Sequence, residues 1–246
     1  MSLSPAVLHR LGGEGPPILC IHGFGADRLG WAANAHALMT SHSVWAVDLP
    51  GHGGAGNVLD PTPDPTALAR SVAGAISPLS GPVSVIGHSL GGAVALWLAR
   101  LMPERIGPMA LIAPATGATE VSAAFLDGFA AMTTVQEAEA VLSMLCARPG
   151  LIAPMIPHVL ASLAQPGRRA ALRAIADALA VAPPAPAPPP GSPVTVIWGD
   201  GDTVIPAPAG PLWGVSATVI PGTGHLPHLE KAGSVNRILS AALAER

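Results

Sequence analysis

Short apolar runs of four to six residues recur along the 246-residue chain, bounded by glycine, proline or polar residues. They are apolar on both faces, which is typical of strands buried in a parallel sheet. Helix-like segments, including 65–77, 90–102 and 232–244, separate them. This alternation predicts an α/β fold with a mostly parallel central sheet flanked by helices, whose ligands bind at the carboxyl ends of the strands. The runs lie at 18–21, 44–47, 83–86, 109–112, 194–197 and 217–220.

The alternation of strands and helices stops between residues 114 and 193. This stretch reads as helices followed by the proline-rich segment 183–193, which we interpret as a stiff connector back to the sheet. We therefore predict an α/β core at 1–113 and 194–246, with 114–193 forming a helical cap and its return connector. The predicted cap helices are 120–132, 136–147, 151–164 and 168–180.

Composition argues against several classes of partner. Only 11% of the residues are charged, the formal net charge is −3 and the basic residues form no run, so we expect no nucleic-acid partner. Prolines and glycines interrupt every apolar run before it reaches membrane-spanning length, and the N-terminus lacks the pattern of a signal peptide. We expect a soluble, cytoplasmic protein without a membrane partner, and leave its oligomeric state open.

Two cysteines, Cys20 and Cys146, are too few for a disulfide framework. Buried thiols in a reducing compartment are the simpler interpretation. The sequence contains no recognisable metal-binding cluster and no phosphate-binding loop. We therefore expect no metal and no cofactor.

Gly87-His88-Ser89-Leu90-Gly91 fits the G-x-S-x-G motif between a predicted strand and a predicted helix. The motif needs a sharp turn in which large side chains at 87 and 91 would collide with neighbouring backbone. Such a turn lifts the serine above the sheet edge, where the helix N-terminus directs N–H groups at a developing oxyanion. We predict that Ser89 is a catalytic nucleophile; a tight turn without catalytic function is the alternative.

A serine hydroxyl needs a base to take its proton. His225 closely follows the last predicted strand and is the preferred base. We expect His22 and His52 to bond to loop backbone, His88 to point elsewhere in the turn, and His228 to begin a helix. The remaining histidines, which lie away from predicted strand ends, are His9, His36, His42 and His158.

The acid that orients the imidazole should follow an earlier strand. Asp202 is preferred because Thr203-Val-Ile-Pro206 would fix its position, and Asp200, which could instead bind loop backbone, is the alternative. The backbone N–H groups of Phe24 and Leu90 are predicted to form the oxyanion hole. The glycine before Phe24 would allow its loop to turn back over the sheet.

Five segments, taken together, resemble the α/β-hydrolase superfamily, whose chain order of serine, acid and histidine this sequence shares. Ser89 at the nucleophile position disfavours the members that use an aspartate nucleophile. The resemblance implies an α/β-hydrolase fold and a triad of Ser89, Asp202 and His225. The five segments are 22–25, 48–53, 87–92, 198–202 and 222–225.

The chain is also similar, over nearly its whole length, to the catalytic region of the dihydrolipoamide acetyltransferase-like E2 component of acetoin dehydrogenase systems. Segments 22–38, 111–132 and 196–207 carry this resemblance. It implies acyl transfer, with a lipoyl or other thioester carrier as partner. We expect no lipoyl domain within this chain, whose only lysine, Lys231, lies in the last predicted helix.

The leading functional hypothesis is a serine hydrolase that cleaves a small-molecule carboxylic ester or thioester through an acyl-enzyme. Acyl transfer, carbon–carbon bond hydrolysis and perhydrolysis are alternatives, because fold and triad do not fix the substrate. A non-catalytic small-molecule binding module is the alternative from another class. Phe125 and Phe129 share one helix face, which favours packing, but a cap over the site would make them substrate contacts together with Phe24 and Trp31.

Overall fold

A computed structural model describes residues 3–244. Its strands are β1 Val7–Gly12, β2 Pro17–Ile21, β3 Ser43–Asp48, β4 Val83–His88, β5 Ile106–Ile112, β6 Val194–Gly199 and β7 Thr218–Ile220. They form one sheet in the order β1-β3-β2-β4-β5-β6-β7, in which only the β1–β3 pair is antiparallel. The predicted α/β-hydrolase fold with a mostly parallel sheet is confirmed.

Strand β1 is the one strand that the apolar runs did not predict. It lies at the edge of the sheet, where it pairs only with β3, and its residues are half-buried or exposed. The polar residues His9 and Arg10 interrupt its apolar pattern. An edge strand needs no continuous apolar run, because it is not enclosed on both faces.

Both faces of the central strands are covered by helices. Leu19 and Ile21 of β2 pack in the same apolar cluster as α2 and α3, whereas Ile18 and Cys20 pack with α1 and α9. This arrangement explains why the central runs are mostly apolar on both faces. The helices are α1 Ala32–Leu38, α2 Pro65–Ala75, α3 Leu90–Leu101, α4 Ala123–Ala131, α5 Val135–Leu142, α6 Ile156–Leu163, α7 Arg168–Val181, α8 Pro227–Glu230 and α9 Ala232–Leu243.

Helices α4 to α7 lie between β5 and β6, in the stretch where four helices were predicted. Three of them are shorter than predicted. Helix α4 covers only Ala123–Ala131 of the predicted 120–132. Helix α5 ends at Leu142 and continues as a 3-10 turn, and α6 begins only at Ile156. Pro157 lies in the first turn of α6, where the missing N–H costs no helical hydrogen bond. No helix within residues 3–244 combines the length and the apolar composition needed to cross a membrane.

Candidate active site

Ser89 lies in the turn between β4 and α3, with φ 53° and ψ −118°. Residues other than glycine rarely adopt a positive φ, so this backbone is strained. A Cβ atom on Gly87 would lie 2.5 Å from the carbonyl oxygen of Gly91, and one on Gly91 would overlap the carbonyl oxygens of Ile21 and His22. Only glycine fits at both positions, because strand, turn and helix backbones are in direct contact there.

Asp202 and His225 form a buried pair at the carboxyl end of the sheet. His225 Nδ1 lies 2.7 Å from Asp202 Oδ2. Asp202 Oδ1 accepts hydrogen bonds from the N–H groups of Val204 and Ile205, each at 2.9 Å. Because both carboxylate oxygens are engaged, the side chain of Asp202 is fixed and can orient the imidazole ring.

Asp200, the alternative acid, has a different partner. Its Oδ1 accepts a hydrogen bond from the N–H of Thr223 at 3.2 Å, and the N–H of Gly201 donates to the Thr223 carbonyl oxygen at 2.9 Å. These bonds connect the loop after β6 to the loop after β7, which carries His225. Asp200 therefore bonds to the backbone of that loop and not to the imidazole.

The loop that contains Gly23 and Phe24 lies against the turn that contains Ser89. A Cβ atom on Gly23 would lie 2.8 Å from His88 Nδ1 and 3.1 Å from Ser89 Cβ. Leu90 is the first residue of α3, so its N–H belongs to the donors that have no partner within the helix. Gly23 is therefore in close contact with Ser89, and Phe24 and Leu90 are the residues that follow these two in sequence.

The ring of His88 is in tilted contact with the rings of both His225 and His228. The ring centroid of His88 lies 4.7 Å from those of His225 and His228, and His228 lies 5.1 Å from the ring of Trp31. His88 Nε2 is 2.9 Å from the carbonyl oxygen of His225, so this ring nitrogen bonds to backbone. Burial lowers the pKa of His88 well below its usual range and that of His228 to about 3. Both rings are therefore uncharged at pH 7.

His22 and His52 bond to loop backbone. His22 Nδ1 lies 2.8 Å from the Gly23 carbonyl oxygen, and its Nε2 accepts from the N–H of Leu49 at 3.1 Å. His52 Nδ1 lies 3.1 Å from the carbonyl oxygen of Pro50. Burial lowers the pKa of both histidines, which keeps them neutral. Their role is to hold the loops after β2 and β3.

A cavity of about 380 Å³ opens at Ser89 and His225. The ring centroid of Phe24 lies 5.5 Å from that of Phe129 and 6.4 Å from that of Phe125, in edge-on contacts that join the core to α4. The aromatic face of α4 is therefore both packing and cavity wall. The predicted substrate contacts that line the cavity are Phe24, Trp31, Phe125 and Phe129.

One polar pair in the cavity wall was not predicted. His158, in α6, places Nε2 2.6 Å from Asp27 Oδ2, and Asp27 Oδ1 accepts from the N–H of Leu29 at 2.8 Å. Both residues of the pair line the cavity. They are 131 positions apart, and His158 does not follow a strand. Only the packing of α6 over the core brings them together, so no local sequence signal marks the pair.

Segment 144–148, which follows α5, contacts both loops that carry the Asp202–His225 pair. Thr203 Oγ1 donates to the carbonyl oxygen of Met144 at 3.0 Å. A Cβ atom on Gly224 would lie 2.8 Å from the Leu145 carbonyl oxygen and 3.1 Å from the backbone nitrogen of Ala147. The neighbours of Asp202 and His225 in sequence are thus in direct contact with this segment.

Glu230 also links segment 144–148 to the loop that carries His225. Its buried Oε1 accepts from the N–H of Gly224 at 2.6 Å, and Arg148 Nη1 donates to the Glu230 carbonyl oxygen at 2.8 Å. The backbone N–H groups of Ala147 and Arg148 lie near the carboxylate and lower the pKa of Glu230. Glu230 Oε2 itself has no hydrogen-bond partner among the described residues. Burial outweighs these contacts and raises the pKa of Glu230.

The cysteines take no part in this site. Cys20 is buried, as predicted, but Cys146 is only half-buried, because it follows the 3-10 turn and does not lie inside a long helix. Burial raises the pKa of both thiols, that of Cys146 to about 12. Among residues 3–244, no group of three or more histidine, cysteine, aspartate or glutamate side chains is placed to hold a metal ion.

Comparison with known proteins identifies the lineage. A family model described as the alpha/beta hydrolase family matches residues 18–238. The chain is 34% identical, over 95% of its length, to the dihydrolipoyllysine-residue acetyltransferase component of the acetoin cleaving system of Pseudomonas putida, and spans 65% of that protein. It is 36% identical to a pimeloyl-[acyl-carrier protein] methyl ester esterase of Neisseria meningitidis over 39% of this chain and 35% of the esterase.

Solved structures share the fold. A meta-cleavage product hydrolase mutant superposes with a TM-score of 0.84 at 20% sequence identity, covering 99% of this chain and 96% of the hydrolase. At this identity the likeness concerns the fold alone. The sequence relatives therefore bear more closely on function than the structural one does.

Proposed function

The chain belongs to the alpha/beta hydrolase family, and we propose that it is a serine hydrolase that cleaves a carboxylic ester or thioester through an acyl-enzyme on Ser89. The observation that carries the proposal is that Ser89, in a strained turn, and His225, paired with the buried Asp202, line one cavity. A nucleophile, a base and an orienting acid are the parts that acyl transfer requires.

In acylation, His225 takes the proton of the Ser89 hydroxyl as Oγ attacks the substrate carbonyl carbon. The electron pair of the carbonyl moves to its oxygen, which the N–H groups of Phe24 and Leu90 stabilise. The intermediate then expels the alcohol or thiol, which takes its proton from His225, and the acyl group remains as an ester of Ser89. Water, deprotonated by His225, releases the carboxylic acid by the same steps.

Asp202 supports both half-reactions without exchanging protons itself. It accepts from His225 Nδ1, so the other ring nitrogen, Nε2, is left to act on Ser89. The carboxylate also stabilises the imidazolium formed in each half-reaction. The uncharged rings of His88 and His228 add no positive charge beside that imidazolium.

A fluorophosphonate probe tests this proposal directly. We expect it to label the wild type but neither Ser89→Ala nor His225→Ala, and we expect only the wild type to hydrolyse p-nitrophenyl esters at an appreciable rate. Circular dichroism of each variant establishes that it is folded. A folded wild type that resists the probe and hydrolyses no ester would contradict the assignment. Tight ligand binding that persists in Ser89→Ala would then favour a binding module.

Acyl transfer to a thiol is a second candidate, favoured by the 34% identity to the acetoin-system acetyltransferase component. A lipoyl group or another thioester carrier would be the partner. In this case dihydrolipoamide added to the acyl-enzyme yields the acylated thiol faster than water yields the acid. Measuring both products from one acyl donor separates the two functions.

A further inference from the structure

The cavity beside Ser89 is larger than a short acyl group needs. Its volume of about 380 Å³ lies within the range of pockets that hold small-molecule ligands. Aromatic and aliphatic side chains form most of its wall, so the substrate loses most of its hydration on entry. The charge of the polar part of the wall then determines which acyl groups can bind in the cavity.

The only basic side chains that the structure describes in that wall are histidines, and one of them, His225, is paired with the Asp202 carboxylate. Burial lowers the pKa of His22, His88 and His228, which leaves these three rings neutral at pH 7. The Asp27 carboxylate lines the cavity, 2.6 Å from His158 Nε2. The pair has a charge of −1 when His158 is neutral and of zero when it is protonated. Among the described residues that line the cavity there is no lysine or arginine.

Building on the serine hydrolase function above, we propose that this cavity selects uncharged acyl groups and rejects acyl groups that carry a carboxylate. A carboxylate inside would be desolvated without a cation to pair with. While His158 is neutral, the charge of the mostly buried Asp27 carboxylate would repel it further. A neutral chain of the same length meets only the apolar wall.

Two esters of equal acyl length test the selectivity. We expect wild-type kcat/KM to be at least ~100-fold higher for p-nitrophenyl hexanoate than for mono-p-nitrophenyl adipate, since burying an unpaired charge is strongly unfavourable. The two substrates differ in the terminal carboxylate and share the leaving group. Ratios within about threefold would overturn the inference, although the hydrolase function itself would stand.

Changing the charge of the cavity wall should change the ratio of kcat/KM for the hexanoate ester to that for the adipate ester. Met155 lines the cavity and is half-buried, so Met155→Lys places a cation in the wall and should reduce the ratio by ~10-fold or more. Met102→Lys adds the same charge at a half-buried position at the end of α3, outside the cavity, and should not alter the ratio. Asp27→Asn removes the negative charge and should also lower the ratio. An unchanged ratio in both Met155→Lys and Asp27→Asn would contradict the inference.

A binding measurement separates this inference from the proposed reaction. Hexanamide and adipamic acid are uncleaved counterparts of the two acyl groups, and calorimetry with Ser89→Ala measures their affinities without turnover. We expect hexanamide to bind more tightly. If neither ester is hydrolysed, the proposed function fails, but the two affinities still decide the selectivity. The proposed selectivity would be overturned if adipamic acid bound at least as tightly as hexanamide, or if neither compound bound.

Discussion

His88 Nε2 lies 2.9 Å from the backbone carbonyl oxygen of His225, so the residue directly before the nucleophile is hydrogen bonded to the residue that serves as base in our proposal. Because burial keeps His88 neutral, one of its ring nitrogens carries the proton and the other does not. The bond to a carbonyl oxygen places that proton on Nε2. Two loops from distant parts of the chain are thereby fixed to each other at the point of catalysis.

Replacing this bond should affect both stability and rate. His88→Phe keeps a ring but leaves the buried carbonyl of His225 without its partner, which costs about 1–3 kcal/mol of unfolding free energy. We also expect kcat to fall about tenfold or more, because His225 loses a positional constraint. His42→Phe is the matched control: its Nε2 lies 3.2 Å from the Leu243 carbonyl oxygen, far from the cavity. It should reduce stability, measured by urea unfolding, without the loss of kcat.

Asp202→Asn should leave the fold intact and reduce kcat by about 10³–10⁴-fold, as expected when an orienting acid loses its charge. The amide oxygen can still accept from Val204 and Ile205, so the loop keeps its shape. Asp200→Asn makes the same chemical change in the same loop, at the residue that bonds to Thr223. Ester hydrolysis by the two variants assigns the acid. A greater loss in Asp200→Asn would reverse the assignment.

Two helical glycines should respond oppositely to alanine. Gly91→Ala forces a methyl group into the carbonyl oxygens of Ile21 and His22, and we expect a loss of about 1–3 kcal/mol or more, together with loss of probe labelling at Ser89. Gly74→Ala, inside α2, meets no atom within 4 Å and should stabilise the protein by about 0.5–1 kcal/mol. Thermal unfolding of both variants measures whether each substitution lowers or raises the stability of the fold. Equal effects would mean that Gly91 is not crowded.

Glu230 should make the fold less stable as pH rises. Its pKa is higher in the folded protein than the ordinary value of 4.5, so the folded state binds more protons. The stability that Glu230 contributes is complete below about pH 4.5 and is lost as pH rises through the raised pKa. Glu230→Gln does not titrate, so the difference in unfolding free energy, wild type minus variant, should fall over that interval.

Urea unfolding of wild type and Glu230→Gln at several pH values measures that difference. Glu139→Gln, at an exposed position of α5, controls for the removal of one carboxylate from the surface. If the difference rises with pH instead, the hydrogen bond from Gly224 lowers the pKa of Glu230 by more than burial raises it.

The order of elements and the positions of Ser89, Asp202 and His225 could be predicted because each depends on local sequence. Continuous apolar runs mark strands enclosed on both faces, and glycines next to Ser89 mark a close backbone approach. Edge strand β1 escaped prediction because it needs no such run. A prediction from strand ends placed Asp200, Asp202 and His225 at one edge of the sheet, but the partners of the two aspartates became visible only in the structure.

Contacts across the cavity could not be predicted for a different reason. Asp27 meets His158, and Gly224 meets segment 144–148, only through the way the helices after β5 pack over the sheet. These helices pack through apolar surfaces of similar composition, so their sequence is compatible with more than one arrangement over the sheet. The charge of the cavity wall, and with it the substrate selectivity that we propose, therefore becomes visible only in three dimensions.

Segment 144–148 limits how this protein can diversify. It bonds to Thr203, next to Asp202, and it packs on Gly224, next to His225. Helices that line the cavity on either side of it cannot be exchanged for those of a relative as an independent unit, because the exchange would also move Asp202 and His225. New substrate ranges are more accessible through single substitutions on α6, whose residues His158 and Val159 line the cavity.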